Sequence, residues 1–121
     1  MPKTRILVAD DDPDLGKIVQ THLHACGYDV SIVENGEEAI AQLKQHPFDL
    51  AILDIRMPKV DGFGVLKYMK EEKPSTKTIM LTAYADLKHL VMSKDFGADD
   101  FLSKPYDFEM LRLSIERLIH S

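Results

Sequence analysis

Apolar residues fall along the chain in two rhythms. Arg5-Ile6-Leu7-Val8-Ala9, Leu50-Ala51-Ile52-Leu53 and Thr78-Ile79-Met80-Leu81 are runs too brief for a helix and almost unbroken by polar residues. That pattern suits strands covered on both faces. Tyr28 to Val33 alternates in part and reads as a strand nearer the sheet edge, and Phe101-Leu102-Ser103 as a short fifth strand. Between them the spacing turns helical. Asp12-Pro13-Asp14 supplies an N-cap, a proline in the first turn and an early acid. Leu15, Ile18, Val19, Leu23 and Cys26 then share a face until Gly27 stops the helix, so the first helix is predicted over 13–26. After the Glu34-Asn35-Gly36 turn a second runs over 37–45, carrying Ala39, Ile40 and Leu43, and ends at His46-Pro47. A third covers 62–72, with Phe63, Leu66 and Met69 inward and Lys67, Lys70 and Glu71 outward, broken by Lys73-Pro74-Ser75. A fourth covers 86–96 before Gly97, and Phe108, Leu111, Ile115, Leu118 and Ile119 stripe the last.

Five strands alternating with five helices imply right-handed crossovers and a parallel sheet with helices on both faces, an α/β doubly wound fold. The strand order 2-1-3-4-5 is adopted by analogy with such folds. In that order the tips of strands 1, 3, 4 and 5 meet at one edge. They carry Asp10 and Asp11, Asp54, Thr82 and Lys104.

The totals narrow the class. A chain of 121 residues, 45% hydrophobic and 29% charged, is read as one domain, residues 1–121, of a soluble globular type. No apolar run approaches the roughly 20 residues that cross a bilayer, and MPKTR shows no signal-peptide pattern, so the chain is expected in the cytosol. A net charge of −5 argues against this domain gripping nucleic acid itself. The single cysteine, Cys26, lies on the apolar side of the first helix and is expected to fill core. Five histidines, at 22, 24, 46, 89 and 120, show no ligand-like spacing and are read as surface or core residues, which argues against a zinc site.

Chemistry concentrates at the strand tips. Asp54 alone could equally cap the turn that follows it. Thr82 alone could cap a helix, and Lys104 alone could be a solvated lysine before Pro105. Together they make a coherent set. Three carboxylates in one place must shift one another's ionisation or recruit a cation, and the hard, oxygen-preferring choice is Mg²⁺. Carboxylates can accept phosphoryl groups, and that transfer depends on neutralising the equatorial oxygens. Mg²⁺, the Lys104 ammonium and the Thr82 hydroxyl could each take one.

The segments ILVADDDPD, LDIRMPKVDGF, MLTAYAD and GADDFLSKPYD, in this order over residues 4–120, resemble the receiver domain of bacterial two-component response regulators, a flavodoxin-like fold. The resemblance implies that Asp54 accepts a phosphoryl group from a sensor histidine kinase. It implies that Asp11 binds Mg²⁺ directly, Asp10 through water, and Asp54 and the Arg56 backbone carbonyl as further ligands, while Asp12 stays a helix cap. Thr82 and Phe101 would be the switch pair, Lys104 would contact the phosphoryl group, and the Lys104-Pro105 bond would be cis. Arg56 and Tyr84 would influence how long the phosphoryl group survives. The output surface would lie on the fourth helix, fifth strand and fifth helix, including Lys88, His89, Met92, Lys94, Asp95, Tyr106, Glu109 and Arg112. It would engage an effector domain or protein, with homodimerisation as one outcome and no membrane contact. Such a domain is a phospho-accepting signalling module that promotes only its own phosphorylation and dephosphorylation. Two other readings compete. An aspartyl-nucleophile phosphatase would want a second acid two residues after Asp54, where Arg56 stands. A degenerate scaffold is at odds with the intact acids and Lys104. A flavin-binding protein of similar fold fits least, since no phosphate loop rich in Ser, Thr and Gly follows strand 1.

Overall fold

The computed structural model describes residues 3–82, 91–92, 94–104 and 107–120. Five strands, β1 (Arg5–Ala9), β2 (Asp29–Val33), β3 (Leu50–Asp54), β4 (Lys77–Thr82) and β5 (Asp100–Ser103), form a parallel sheet in the order β2-β1-β3-β4-β5. Around it lie α1 (Pro13–Ala25), α2 (Gly36–Gln45), α3 (Gly62–Glu72) and α4 (Phe108–Ile119). The order expected by analogy is the order found, with β2 at an edge. Most of the helix expected over 86–96 lies outside the described residues. Residues 91, 92, 94 and 95 are helical, and Gly97 follows with a φ of 87°.

The unbroken apolar runs have a direct structural cause. Successive strand residues point to opposite faces, and both faces are covered. Leu7, Ala9, Ala51, Leu53 and Met80 face α2 and α3, packing with Ala39, Leu43, Val65, Leu66 and Met69. Ile6, Val8, Leu50, Ile52, Ile79 and Leu81 face α1 and α4, packing with Val19, Leu23, Leu111, Ile115 and Leu118. Each large side chain so buried contributes about 1.5–3 kcal/mol.

Helix starts follow the expected capping chemistry. Asp12 accepts from the N–H groups of Asp14 and Leu15, Asn35 from Glu38, Asp61 from Gly64 and Asp107 from Met110. Each such cap is worth about 1 kcal/mol. Two expectations about α1 are corrected. Ile18 is 55% exposed, because the helix approaches the sheet through Gly16, Val19 and Leu23, with Gly16 against Ile32. Cys26 is exposed rather than core, because the helix ends at Ala25 and Cys26 is its C-cap, turned outward before Gly27 at φ 93°.

The loop from β3 to α3 is held closely. Lys59 has φ 70°, and Val60 N–H donates to Pro58 O at 2.9 Å, a γ-turn of the strained kind. Val60 in turn rests on Gly36 of α2, where a Cβ would stand 2.0 Å from the Val60 carbonyl oxygen. Only glycine admits that approach.

Candidate functional site

β1, β3, β4 and β5 each bring chemical groups to the same edge of the sheet. β1 ends at Ala9, and Asp10 follows, 2% exposed, its N–H donating to Val33 O at 3.1 Å. β3 ends in Asp54, 6% exposed, and Ile55 N–H continues the ladder to Leu81 O at 2.9 Å. β4 ends in Thr82, 2% exposed and opposite Ser103 of β5. Lys104 follows β5, its N–H donating to Thr82 O at 2.6 Å.

The side chains converge. Lys104 Nζ donates to Asp54 Oδ2 at 2.9 Å and to Asp10 Oδ2 at 3.1 Å. Arg56 N–H donates to Asp54 Oδ1 at 3.2 Å, and Asp12 N–H to Asp10 Oδ1 at 2.9 Å. Carboxylate oxygens of Asp10, Asp11 and Asp54 lie within 4.8 Å of one another, Asp11 being the exposed member. This donor set is all oxygen, with two buried carboxylates and one accessible, which suits a hard divalent cation with part of its water shell.

Electrostatics follow from burial. The Asp54 carboxyl is held above its ordinary range, first by burial and then by Asp10, with Lys104 and the Arg56 N–H opposing. The Lys104 ammonium is held above its own ordinary range: burial pulls it down, and the Asp54 and Asp10 carboxylates together outweigh that. The pair is therefore an ion pair whose acid is unusually reluctant to ionise.

The match of the response regulator receiver domain model to residues 6–116 decides what the arrangement belongs to. The chain belongs to the response regulator receiver family. Among curated relatives, the probable transcriptional regulator ycf27 of Cyanidium caldarium is 40% identical over 114 residues, covering 94% of this chain and 45% of that protein. The transcriptional regulatory protein ZraR of Escherichia coli (strain K12) is 36% identical over 114 residues, covering 94% of this chain and 26% of that protein. The receiver thus spans less than half the length of these relatives. A CheY-like response regulator receiver domain protein from Methanospirillum hungatei JF-1 superposes with a TM-score of 0.94 at 32% identity, covering 98% of this chain and 95% of that one.

Within the receiver, Asp10, Asp11, Asp54 and Lys104 come together as their strand positions require, and Thr82 and Arg56 border them. Phe101 is half-buried on β5 and packs against the core on the α2 and α3 side of the sheet. Asp12 is the cap of α1. Tyr84, Lys88, His89, Pro105 and Tyr106 lie outside the described residues, as does the Lys104-Pro105 bond.

On the expected output surface, Arg112 is engaged within its own helix by Glu109 and Glu116, and both Arg112 and Glu116 act on Tyr28, beside α1. The apolar residues that α4 exposes are Met110 and Leu113. Composition did not single these out, although two apolar residues three apart and off the buried stripe were visible. Also missed was an open cleft of about 710 Å³ beside the acids, where Asp11 and Arg56 meet Met57, Phe63 and Met92. It joins residues distant in sequence, so no local pattern marks it.

Proposed function

We propose that residues 1–121 act as one phospho-accepting unit in which Asp54 takes a phosphoryl group from the phosphohistidine of a sensor histidine kinase. The observation that carries this is the single ammonium of Lys104 held against Asp54 at 2.9 Å, beside two further acids. An acceptor oxygen is thereby paired with both a fixed cation and a place for a second one.

In this reading Asp54 attacks phosphorus in line, the P–N bond to the kinase imidazole breaks as the P–O bond forms, and the imidazole leaves with its own proton. Asp10, Asp11 and Asp54, with the Arg56 backbone carbonyl, would hold Mg²⁺, which neutralises charge on the transferring group when bound. Lys104 holds a second equatorial oxygen, and the Thr82 hydroxyl donates to a third. Phosphorylation adds about −1.5 to −2 of charge, and this biases Thr82, Phe101 and the surface expected on residues 86–96, β5 and α4 toward one arrangement. That surface would bind an effector domain or protein, or a second copy of the chain. The receiver would catalyse only its own phosphorylation and dephosphorylation, Arg56 and Tyr84 setting the lifetime. No described helix is long and apolar enough to cross a membrane, in keeping with a cytoplasmic place beside the kinase.

Incubation with acetyl phosphate and Mg²⁺, followed by intact-mass measurement, tests the reading. A gain of one phosphoryl group that disappears in Asp54→Asn is expected. Labelling that persists in the variant places the acceptor elsewhere, and rapid turnover of a simple phosphate ester would favour a phosphatase instead.

A further inference from the structure

β2 closes one side of the sheet and is paired with β1 alone. An edge strand presents a row of N–H and C=O groups to which another strand can add. The bonds to β1 show which groups those are. Asp29 N–H donates to Thr4 O at 2.9 Å and Val33 O accepts from Asp10 N–H at 3.1 Å, so the backbone groups of residues 29, 31 and 33 turn inward. Those of Val30 and Ile32 alternate with them and turn outward. One of these is already taken: Gln20, half-buried on α1, donates from Nε2 to Val30 O at 3.0 Å. Among the described residues no other hydrogen bond reaches Val30 or Ile32 from that side.

The usual protections of an edge are missing from the strand itself. Asp29-Val30-Ser31-Ile32-Val33 holds no proline and no lysine, and all of it pairs with β1 in unbroken register, so no bulge twists it away. Its one charged residue, Asp29, stands at an end and faces Arg5 at 3.8 Å. The edge is also self-complementary. Two copies of β2 running antiparallel about Ser31 would set Val30 of each opposite Ile32 of the other, each pair exchanging N–H and C=O. Every such pair needs a Val30 carbonyl, and that is the group Gln20 occupies.

We propose that Gln20 is the guard of the β2 edge: its carboxamide, seated on Val30 O, keeps two copies of the chain from joining their sheets through β2. The side chain fills the outward acceptor and the space beside it, which a second strand would need. Without it the edge is a continuous template for a second copy. The guard acts on the unmodified chain and is independent of the phosphoryl chemistry at the far ends of the strands.

Sedimentation velocity on the whole chain without phosphodonor tests this, in about 0.5 M NaCl so that the net charge of −5 is screened. Gln20→Met removes the donor while keeping side-chain length and helix propensity. It should self-associate at concentrations at least about tenfold below those at which the wild type does, and Gln20→Ala should behave alike. Amide exchange followed by nuclear magnetic resonance should slow at Val30 and Ile32 in the associated variant and stay unchanged in β5. Ser31→Lys added to Gln20→Met should return the protein to wild-type behaviour, because it sets two like charges opposite each other at the centre of the pairing. Gln20 variants as monomeric as wild type, association that survives Ser31→Lys, or protection that arises away from β2 would each overturn the guard. Failure of both Gln20 variants to fold would overturn it too, since the bond would then be holding α1 to β2 rather than screening an edge.

Discussion

Gly62, the first residue of α3, lies against the backbone of Asp54: a Cβ there would stand 2.5 Å from the Asp54 carbonyl oxygen and 2.9 Å from Ile55 Cα. Its N–H also donates to Ile55 O at 2.9 Å, so the start of α3 is sewn to the end of β3. Gly62→Ala is expected to lower stability by about 1–3 kcal/mol, because the obstacle is backbone and cannot swing aside. Urea unfolding measures it. A midpoint equal to wild type would show that the loop has room to yield. Acetyl phosphate labelling should slow in the same variant, since the displaced atoms belong to the proposed acceptor residue.

Asp54 itself is expected to weaken the metal-free fold at neutral pH. Its carboxyl is raised by burial, so the native state holds the proton more tightly than the unfolded chain does. The stability from such a group is complete below the unfolded value and is lost as pH rises through the folded one. Asp54→Asn should therefore raise the thermal midpoint at pH 7 without metal, and the advantage should fade as pH drops below the usual carboxylate range. A lower midpoint at pH 7 would mean that the Lys104 pairing outweighs burial.

Ser114 is buried on α4 and donates to Asp100 at the start of β5, where Arg117 also reaches the carboxylate at 2.7 Å. These contacts fasten the edge strand to the last helix. Ser114→Ala should lower stability by about 1–2 kcal/mol, since a hydrogen bond to a charged group is lost while Arg117 still pairs with Asp100. Hydrogen exchange should accelerate in β5 more than in β3. Uniform acceleration would argue against a local fastening.

Met110 and Leu113 are 52% and 53% exposed on α4. Leu113→Ser and Met110→Ser should leave the unfolding midpoint within about 0.5 kcal/mol of wild type, as surface changes usually do. Loss of self-association on phosphorylation in these variants, with folding intact, would identify that side of α4 as the output face. A large drop in stability would show instead that the two residues pack against the 86–96 segment.

The site was legible in the sequence because chemistry at strand tips is local. Asp10, Asp54, Thr82 and Lys104 each close an apolar run, and the runs themselves say which ends will meet once the order is set. What was hidden depends on rotation or on distance. Ile18 fits the apolar stripe of α1 by spacing, but spacing does not tell which part of a broad stripe meets the sheet, and Gly16 decided it. Cys26 depended on one residue of helix length. Lys59 carries no mark of a left-handed backbone, and the residue after it, Val60, rests on Gly36, a contact between segments distant in sequence. The second grip of Lys104, on Asp10, follows from how far a lysine stretches over folded strands, and no run of letters encodes that.

β3 has paired neighbours on both sides, and the Ile55 amide prolongs its ladder beyond Asp54. Asp54 is therefore fixed at the end of a strand paired on both sides. A phosphoryl group on Asp54, as proposed, would meet an anchor paired on both sides, so any yielding is expected at strands such as β5, which has a sheet partner on one side alone. On that reading the rim, not the centre, would carry the response.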